Sequence, residues 1–259
     1  MSAQGDRPVA VVTGAARGMG AATARRLAAR GFTVALIDLP LEPAGRVAEI
    51  PGPYVPAHSS ELDVAAAECL GAGEPWAADV RDAAALTEVV DDVVARHGRL
   101  DAVVAAAGAV AGGVPLWETD DATWQAMVEV NLTGVFNTVR AAVPHLLAAP
   151  EPRRGRFVAV ASAAAHHGLP QMGAYSAAKH GVAGLVKALA AELGSTDTPM
   201  LEASGALYGI DDPTVFAAQS RIERLIDPDE IAATIEWLCI DAPAALTGAV
   251  LDVDGGFRP

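Results

Sequence analysis

Basic residues are scarce in this sequence of 259: 18 Lys and Arg stand against 32 Asp and Glu, a formal charge of −14. A field of that sign repels phosphate backbones and anionic membrane surfaces, and so argues against a nucleic acid or a membrane as partner. The one basic cluster, Arg153, Arg154 and Arg156 around Gly155, is too short for a binding stripe and reads as a solvated turn. Cysteine is nearly absent. Cys69 and Cys239 lie 170 positions apart, which gives neither a disulfide framework nor a metal site of recognisable spacing, so both read as packing thiols in a reducing interior. No run of 18 apolar residues is available to span a bilayer, and the opening MSAQGDRP lacks the basic-then-apolar layout of a secretion signal. The expected setting is the cytoplasm.

What is abundant is apolar residues, at 52%, in a pattern that alternates between two periods. PVAVVTG from Pro8 is a short continuous apolar run suited to a strand buried on both faces. Gly20 to Arg30 then reads as a helix closed by Gly31, and FTVALID as a second strand, together a right-handed crossover unit. The alternation predicts further strands at 75–79, 100–108, 155–162 and 248–256. Helices are expected at 83–97, 123–148, 175–193 and 229–240. Such an order predicts an α/β fold, a doubly wound Rossmann-type parallel sheet, and no composition shift divides residues 1–259 into more than a single domain.

TGAARGMG follows the first strand, with Gly14, Gly18 and Gly20 where a tight turn must let backbone N–H groups approach a pyrophosphate at a helix N-terminus. Asp38 ends the second strand eighteen residues beyond Gly20, placed to accept hydrogen bonds from both hydroxyls of an adenosine ribose and to repel a 2′-phosphate. Tyr175 and Lys179, in YSAAK, share one helix face a turn apart, and an ammonium beside a phenol is expected to lower the phenol's pKa toward working pH. Ser162, thirteen residues upstream at a strand end, is placed to hydrogen-bond the same substrate oxygen.

Taken together these residues resemble the short-chain dehydrogenase/reductase family. TGAARGMG matches its glycine-rich turn, Ala78–Val80 its adenine-contacting step, NLTG (Asn131–Gly134) its motif on the long helix, and VDGG (Val253–Gly256) its C-terminal signature. The resemblance implies an NAD-dependent oxidoreductase acting on a hydrophobic secondary alcohol or ketone. It makes Tyr175 the general acid/base, Ser162 the group that orients the carbonyl or carbinol, Lys179 the residue holding the nicotinamide ribose, and Asn131 the holder of a water linked to Lys179. The cofactor contacts it implies are Gly14, Arg17, Gly18, Met19, Gly20, Asp38, Leu39, Asp79, Val80, Ala106, Ala107, Gly108, Tyr175, Lys179 and Thr198. A homotetramer or homodimer through helices 123–148 and 175–193 is a further implication. A catalytically silent NAD-binding regulator on the same fold is the alternative.

Three departures accompany the resemblance. The family's NNAG is here AAAG, Ala105–Gly108, which backbone approach tolerates. Leu39–Glu74 inserts 36 residues in which Pro40, Pro43, Pro51, Pro53 and Pro56 forbid one continuous helix. With VVAAAGAV and TPMLEASGALYG, this insertion is similar to the mycofactocin-dependent branch of the family, which implies a retained NAD and an external redox carrier. The alternative is a mobile surface loop. Finally, no strand and no Pro-Gly turn follow Leu193. GSTDTP has no apolar run, and a strand expected near 194–196 is missing, either because residues are omitted from the sequence or through a deletion. Such a deletion would inactivate the protein or be absorbed by pairing the last strand with the fifth. His166 and His167 read as lining the substrate-facing loop, and Leu169, Met172 and 200–216 as supplying an apolar pocket.

Overall fold

A computed structural model describes residues 7–39, 50–51, 57–149, 154–192, 200–204, 227–243, 246 and 249–253. Among these, seven parallel strands form one sheet in the order β3-β2-β1-β4-β5-β6-β7. They are β1 (Val9–Thr13), β2 (Thr33–Asp38), β3 (Gly73–Ala77), β4 (Ala102–Ala105), β5 (Arg156–Ala161), β6 (Met200–Ser204) and β7 (Ala249–Asp252). The helices are α1 (Gly18–Ala29), α2 (Ser59–Ala67), α3 (Ala83–His97), α4 (Asp121–Val128), α5 (Gly134–Ala148), α6 (Gly173–Glu192) and α7 (Pro228–Ile240). Sheet order reverses between β1 and β4, and at such a switch point the loops leaving the strands' carboxyl ends part to leave a crevice.

The central strands carry no alternation because both faces are covered. On one face Val12, Leu36 and Val104 pack with Leu27 of α1 and Ile235 and Leu238 of α7. On the other, Val11, Ile37, Val103 and Phe157 pack with Leu86 and Val90 of α3, Leu146 of α5 and Val182 and Val186 of α6. Each fully buried aliphatic or aromatic side chain removes apolar surface worth about 1.5–3 kcal/mol. Local sequence sets the helix ends. Asp82 accepts the N–H groups of Ala84 and Ala85, Asp120 that of Thr123, and Asp227 that of Asp229 with Pro228 following. Gly98 closes α3 in the left-handed region at φ 73°.

Four expectations change. The expected missing strand is present: β6 stands between β5 and β7, pairing Phe157 with Met200 and Leu201 with Ala249. The last strand therefore does not pair with β5, and no row of inner backbone groups is left open. The chain spacing from Leu193 to Thr198, and Thr198 itself, lie outside the described residues. Residues 200–204 belong to the sheet, while 205–216 lie outside the described residues. The third strand is 73–77 rather than 75–79. As an edge strand it tolerates Pro75, which has no N–H to donate. The single helix expected over 123–148 is two helices joined by a π-helical turn, Glu129–Thr133, with Asn131 inside it. Within the insertion, α2 starts only after the last of the five prolines, with Glu61 reaching back to the His58 N–H at 2.8 Å.

Candidate active site

Gly14 leaves β1 with φ +68°, and a Cβ there would lie 2.6 Å from the backbone N and Cα of Ala107 and 2.7 Å from the Ala106 carbonyl. The missing side chain lets the ends of β1 and β4 close on each other, where Thr13 Oγ1 accepts the Ala107 N–H at 3.3 Å. A Cβ on Gly20 would overlap the Gly14 carbonyl, so the first turn of α1 presses directly on the strand exit. The N-cap residue of α1, Arg17, makes no side-chain capping bond, and the first turn holds no acidic residue. The positive end of the helix dipole lies where Gly18, Met19 and Gly20 border a cavity of about 170 Å³.

That cavity brings together Gly14, Arg17, Gly18, Met19, Gly20, Asp38, Leu39, Asp79, Val80, Ala106, Ala107 and Gly108, twelve of the residues the sequence singled out. Ala78, from the adenine-contacting step, lines it too, and four lining residues were not anticipated: Ile50, Ala57, Arg81 and Val130. Arg81 had a readable signal, lying two residues from Asp79, whose carboxylate its guanidinium grips through Nε and Nη2 at 2.9 and 2.6 Å. Ile50 and Ala57 come from the proline-rich insertion, where no periodicity marks a contact.

Asp38 is held in place by its own backbone surroundings. One carboxylate oxygen accepts the Ala16 N–H and the other the Leu39 N–H, both at 2.8 Å. Burial pushes its pKa up, and the two N–H groups and the Arg17 charge oppose that rise. Its carbonyl accepts the Ala78 N–H at 3.1 Å, which seats the 78–81 turn beside it.

Tyr175 is buried at the start of α6 beside the Ser162 side chain. Ser162 accepts the Ala164 N–H at 3.1 Å, which fixes its hydroxyl oxygen at the exit of β5. One turn on, Lys179 Nζ donates to the Val160 carbonyl at 2.9 Å and lies 5.9 Å from the Tyr175 ring centre. The expected lowering of the phenol's pKa is not what this geometry gives. Burial pushes it up and the Ser162 side chain only partly opposes that, while the Lys179 ammonium is bonded to the Val160 carbonyl. Asn131, fully buried, donates to the Ala109 and Met127 carbonyls at 2.9 and 3.0 Å and accepts the Ala109 N–H at 3.2 Å. These bonds fix the 109 backbone to the helix that carries Asn131. Gly108 joins the two halves of the site: a Cβ there would lie 3.1 Å from Asn131 Oδ1 and 3.8 Å from Lys179 Nζ, while the residue itself borders the cavity.

The model of the short chain dehydrogenase family matches residues 8–200. The chain belongs to that family. A short-chain dehydrogenase named (−)-trans-carveol dehydrogenase, from Rhodococcus erythropolis, is 38% identical, with 96% of each chain covered. The cis-4-hydroxycyclohexanecarboxylate dehydrogenase of Sinomonas cyclohexanicum is 36% identical over 96% of each. The crystal structure of carveol dehydrogenase from Mycobacterium avium in complex with NAD superposes with a TM-score of 0.85 at 32% identity, again over 96% of each chain. Alignment with the Rhodococcus enzyme runs over 277 positions, more than the 259 residues of this short-chain dehydrogenase, so that relative carries residues with no counterpart here.

On the substrate side, Val110, Leu169 and Met172 pack against a buried cluster that includes Met127, Ala164 and Tyr175. His166 and His167 are exposed, and His166 Nε2 lies 3.3 Å from Asp252 at the end of β7.

Proposed function

We propose that the protein is an NAD-dependent dehydrogenase that interconverts a hydrophobic secondary alcohol and its ketone, with Tyr175 as general acid/base. The observation that carries this reading is the placement of a buried Tyr175 on Ser162, with Lys179 a turn away and Gly108 linking that group to the glycine-lined cavity. The cavity suits a dinucleotide: glycines at 14 and 20 let the strand exit and the first turn of α1 close tightly beneath it, and a helix N-terminus with no acidic residue in its first turn suits a pyrophosphate. Gly14, Gly18 and Gly20 would hold that pyrophosphate, Asp38 the adenosine ribose, Asp79 and Val80 the adenine, and Ala106–Gly108 the stretch toward the nicotinamide.

The chemistry supplied by bound NAD is hydride acceptance or return at its nicotinamide ring. Everything else falls to the chain. Ser162 orients the substrate oxygen, Tyr175 takes the carbinol proton as the hydride leaves and returns it in reduction, and Lys179 holds the nicotinamide ribose. Asn131 fixes the backbone of Ala109. Val110, Leu169 and Met172 favour an apolar, cyclic alcohol, in keeping with the names of the Rhodococcus and Sinomonas relatives.

The reading extends to a retained cofactor. Ile50 and Ala57 bring the insertion onto the cavity, which supports NAD held between turnovers and reoxidised by an external carrier such as mycofactocin. We further assign one domain, a cytoplasmic setting and a homodimer or homotetramer through α5 and α6, where Phe136 is 42% exposed. The test is turnover of cyclic secondary alcohols by wild type and by Tyr175→Phe, with NAD content measured on both. A variant that keeps both NAD and activity would defeat the assignment.

A further inference from the structure

The cavity's two ends hang from one short stretch of helix. Asn131 holds the backbone of Ala109 at one end. Six residues on, Asn137 is 5% exposed in α5, and its Nδ2 donates to the Val80 carbonyl at 2.9 Å and to the Arg81 carbonyl at 3.3 Å. Between them Gly134 leaves the room that Val80 fills, since a Cβ there would lie 2.6 Å from Val80 Cγ2. Other contacts reach the 79–81 turn as well. Asp79 and Arg81 grip each other, which stiffens the turn internally, and the Arg81 charge also feels Glu129 of the π-helical turn. The Ala78 N–H to Asp38 carbonyl bond secures only its entry, and the Asp82 N–H to Asp79 carbonyl bond closes it on itself.

We propose that Asn137 is a positioning residue for cofactor binding, fixing the 79–81 turn so that Asp79 and Val80 are presented to the adenine half of NAD. The inference rests on the NAD-binding reading above. Asn137 touches neither reacting atoms nor the nicotinamide end, so its contribution is preorganisation: if its loss leaves the turn correctly placed a tenth of the time, apparent affinity falls tenfold. A buried amide donating to two carbonyls suits this task, because no aliphatic side chain of that size satisfies either acceptor.

The experiment is titration of wild type, Asn137→Ala and Asn137→Ser, each stripped of nucleotide, with NAD, ADP-ribose and nicotinamide mononucleotide by calorimetry. For Asn137→Ala we expect Kd for NAD and for ADP-ribose to rise together by about tenfold, with nicotinamide mononucleotide binding and saturated kcat unchanged. Asn137→Ser, whose hydroxyl can still donate to one carbonyl, should recover part of the loss. Gly134→Ala reaches the same turn from its other side. It should weaken ADP-ribose binding even where added helix propensity offsets the cost of crowding Val80, and it serves if Asn137→Ala does not fold. An unchanged ADP-ribose affinity, or an equal loss for both halves of the cofactor, would overturn the inference. Failure of wild type itself to bind NAD would instead overturn the proposed function.

Discussion

Replacing Gly14 by alanine should damage this protein more than the same change at another left-handed glycine. Gly14 and Gly31 have φ of +68° and +91°, so alanine at either carries a left-handed strain of about 1–2 kcal/mol. At Gly31 nothing lies within 4 Å of the added Cβ, and that strain is the whole effect. At Gly14 the Cβ falls 2.6 Å from the backbone of Ala107, roughly 1 Å inside ordinary carbon contact, and the obstacle is a strand end rather than a side-chain tip that can swing away. Overpacking of that kind adds about 1–3 kcal/mol, giving about 2–5 kcal/mol in all. At about 2–4 °C per kcal/mol, Gly14→Ala should lower Tm by about 4–20 °C and Gly31→Ala by about 2–8 °C. Because the displaced strand ends also form the cavity floor, only Gly14→Ala should lose NAD binding. Differential scanning calorimetry with parallel NAD titration provides the check. Equal Tm losses for the two variants, or intact NAD affinity in Gly14→Ala, would refute the argument that close approach of β1 and β4 is what requires this glycine.

Tyr175→Phe keeps the ring and removes the proton-transfer hydroxyl, so turnover should fall by about 10²–10⁴-fold while NAD affinity changes little, measured by steady-state kinetics beside calorimetry. The partly buried Asp38 carboxylate at the ribose end should give a kcat/KM for NAD at least about tenfold above that for NADP, in side-by-side assays at one pH. Burial raises the Tyr175 pKa in the cofactor-free protein, so the native state keeps a proton that the unfolded chain, with a phenol pKa of about 10, has already lost. Its contribution is therefore fully present below about pH 10 and is lost as pH rises through the higher native value. Wild type should lose Tm between pH 9.5 and 11 more steeply than Tyr175→Phe.

Much of the site could be read from local sequence because its parts depend on local chemistry. A strand, a glycine turn and a helix start in that order leave few other folds for residues 8–30, and Asp38 ends a strand that no polar residue interrupts. What escaped the sequence depends on distant partners. MLEAS has neither strict alternation nor a continuous apolar run, and it becomes β6 only because β5 and β7 supply hydrogen bonds on both sides. The π-turn at 129–133 carries no proline or glycine break; Asn131's bonds to Ala109 and Met127 span the helix and a neighbouring loop. Ile50 and Ala57 sit in a stretch without periodicity, so their place at the cavity was invisible. The Tyr175 pKa was misjudged for a related reason. Spacing put Lys179 on the right face, but not whether its ammonium would reach the hydroxyl or the Val160 carbonyl.

The most direct test of an NAD-dependent alcohol dehydrogenase is a single-turnover absorbance measurement on protein purified without dialysis and then saturated with NAD. On mixing with an excess of a cyclic secondary alcohol such as cyclohexanol, the account expects an absorbance band of reduced nicotinamide near 340 nm, approaching one equivalent per chain. Tyr175→Phe should give none on the same timescale. Protein that carries NAD yet shows no such band with any cyclic or linear secondary alcohol, or a Tyr175→Phe variant that forms it at the wild-type rate, would contradict the account.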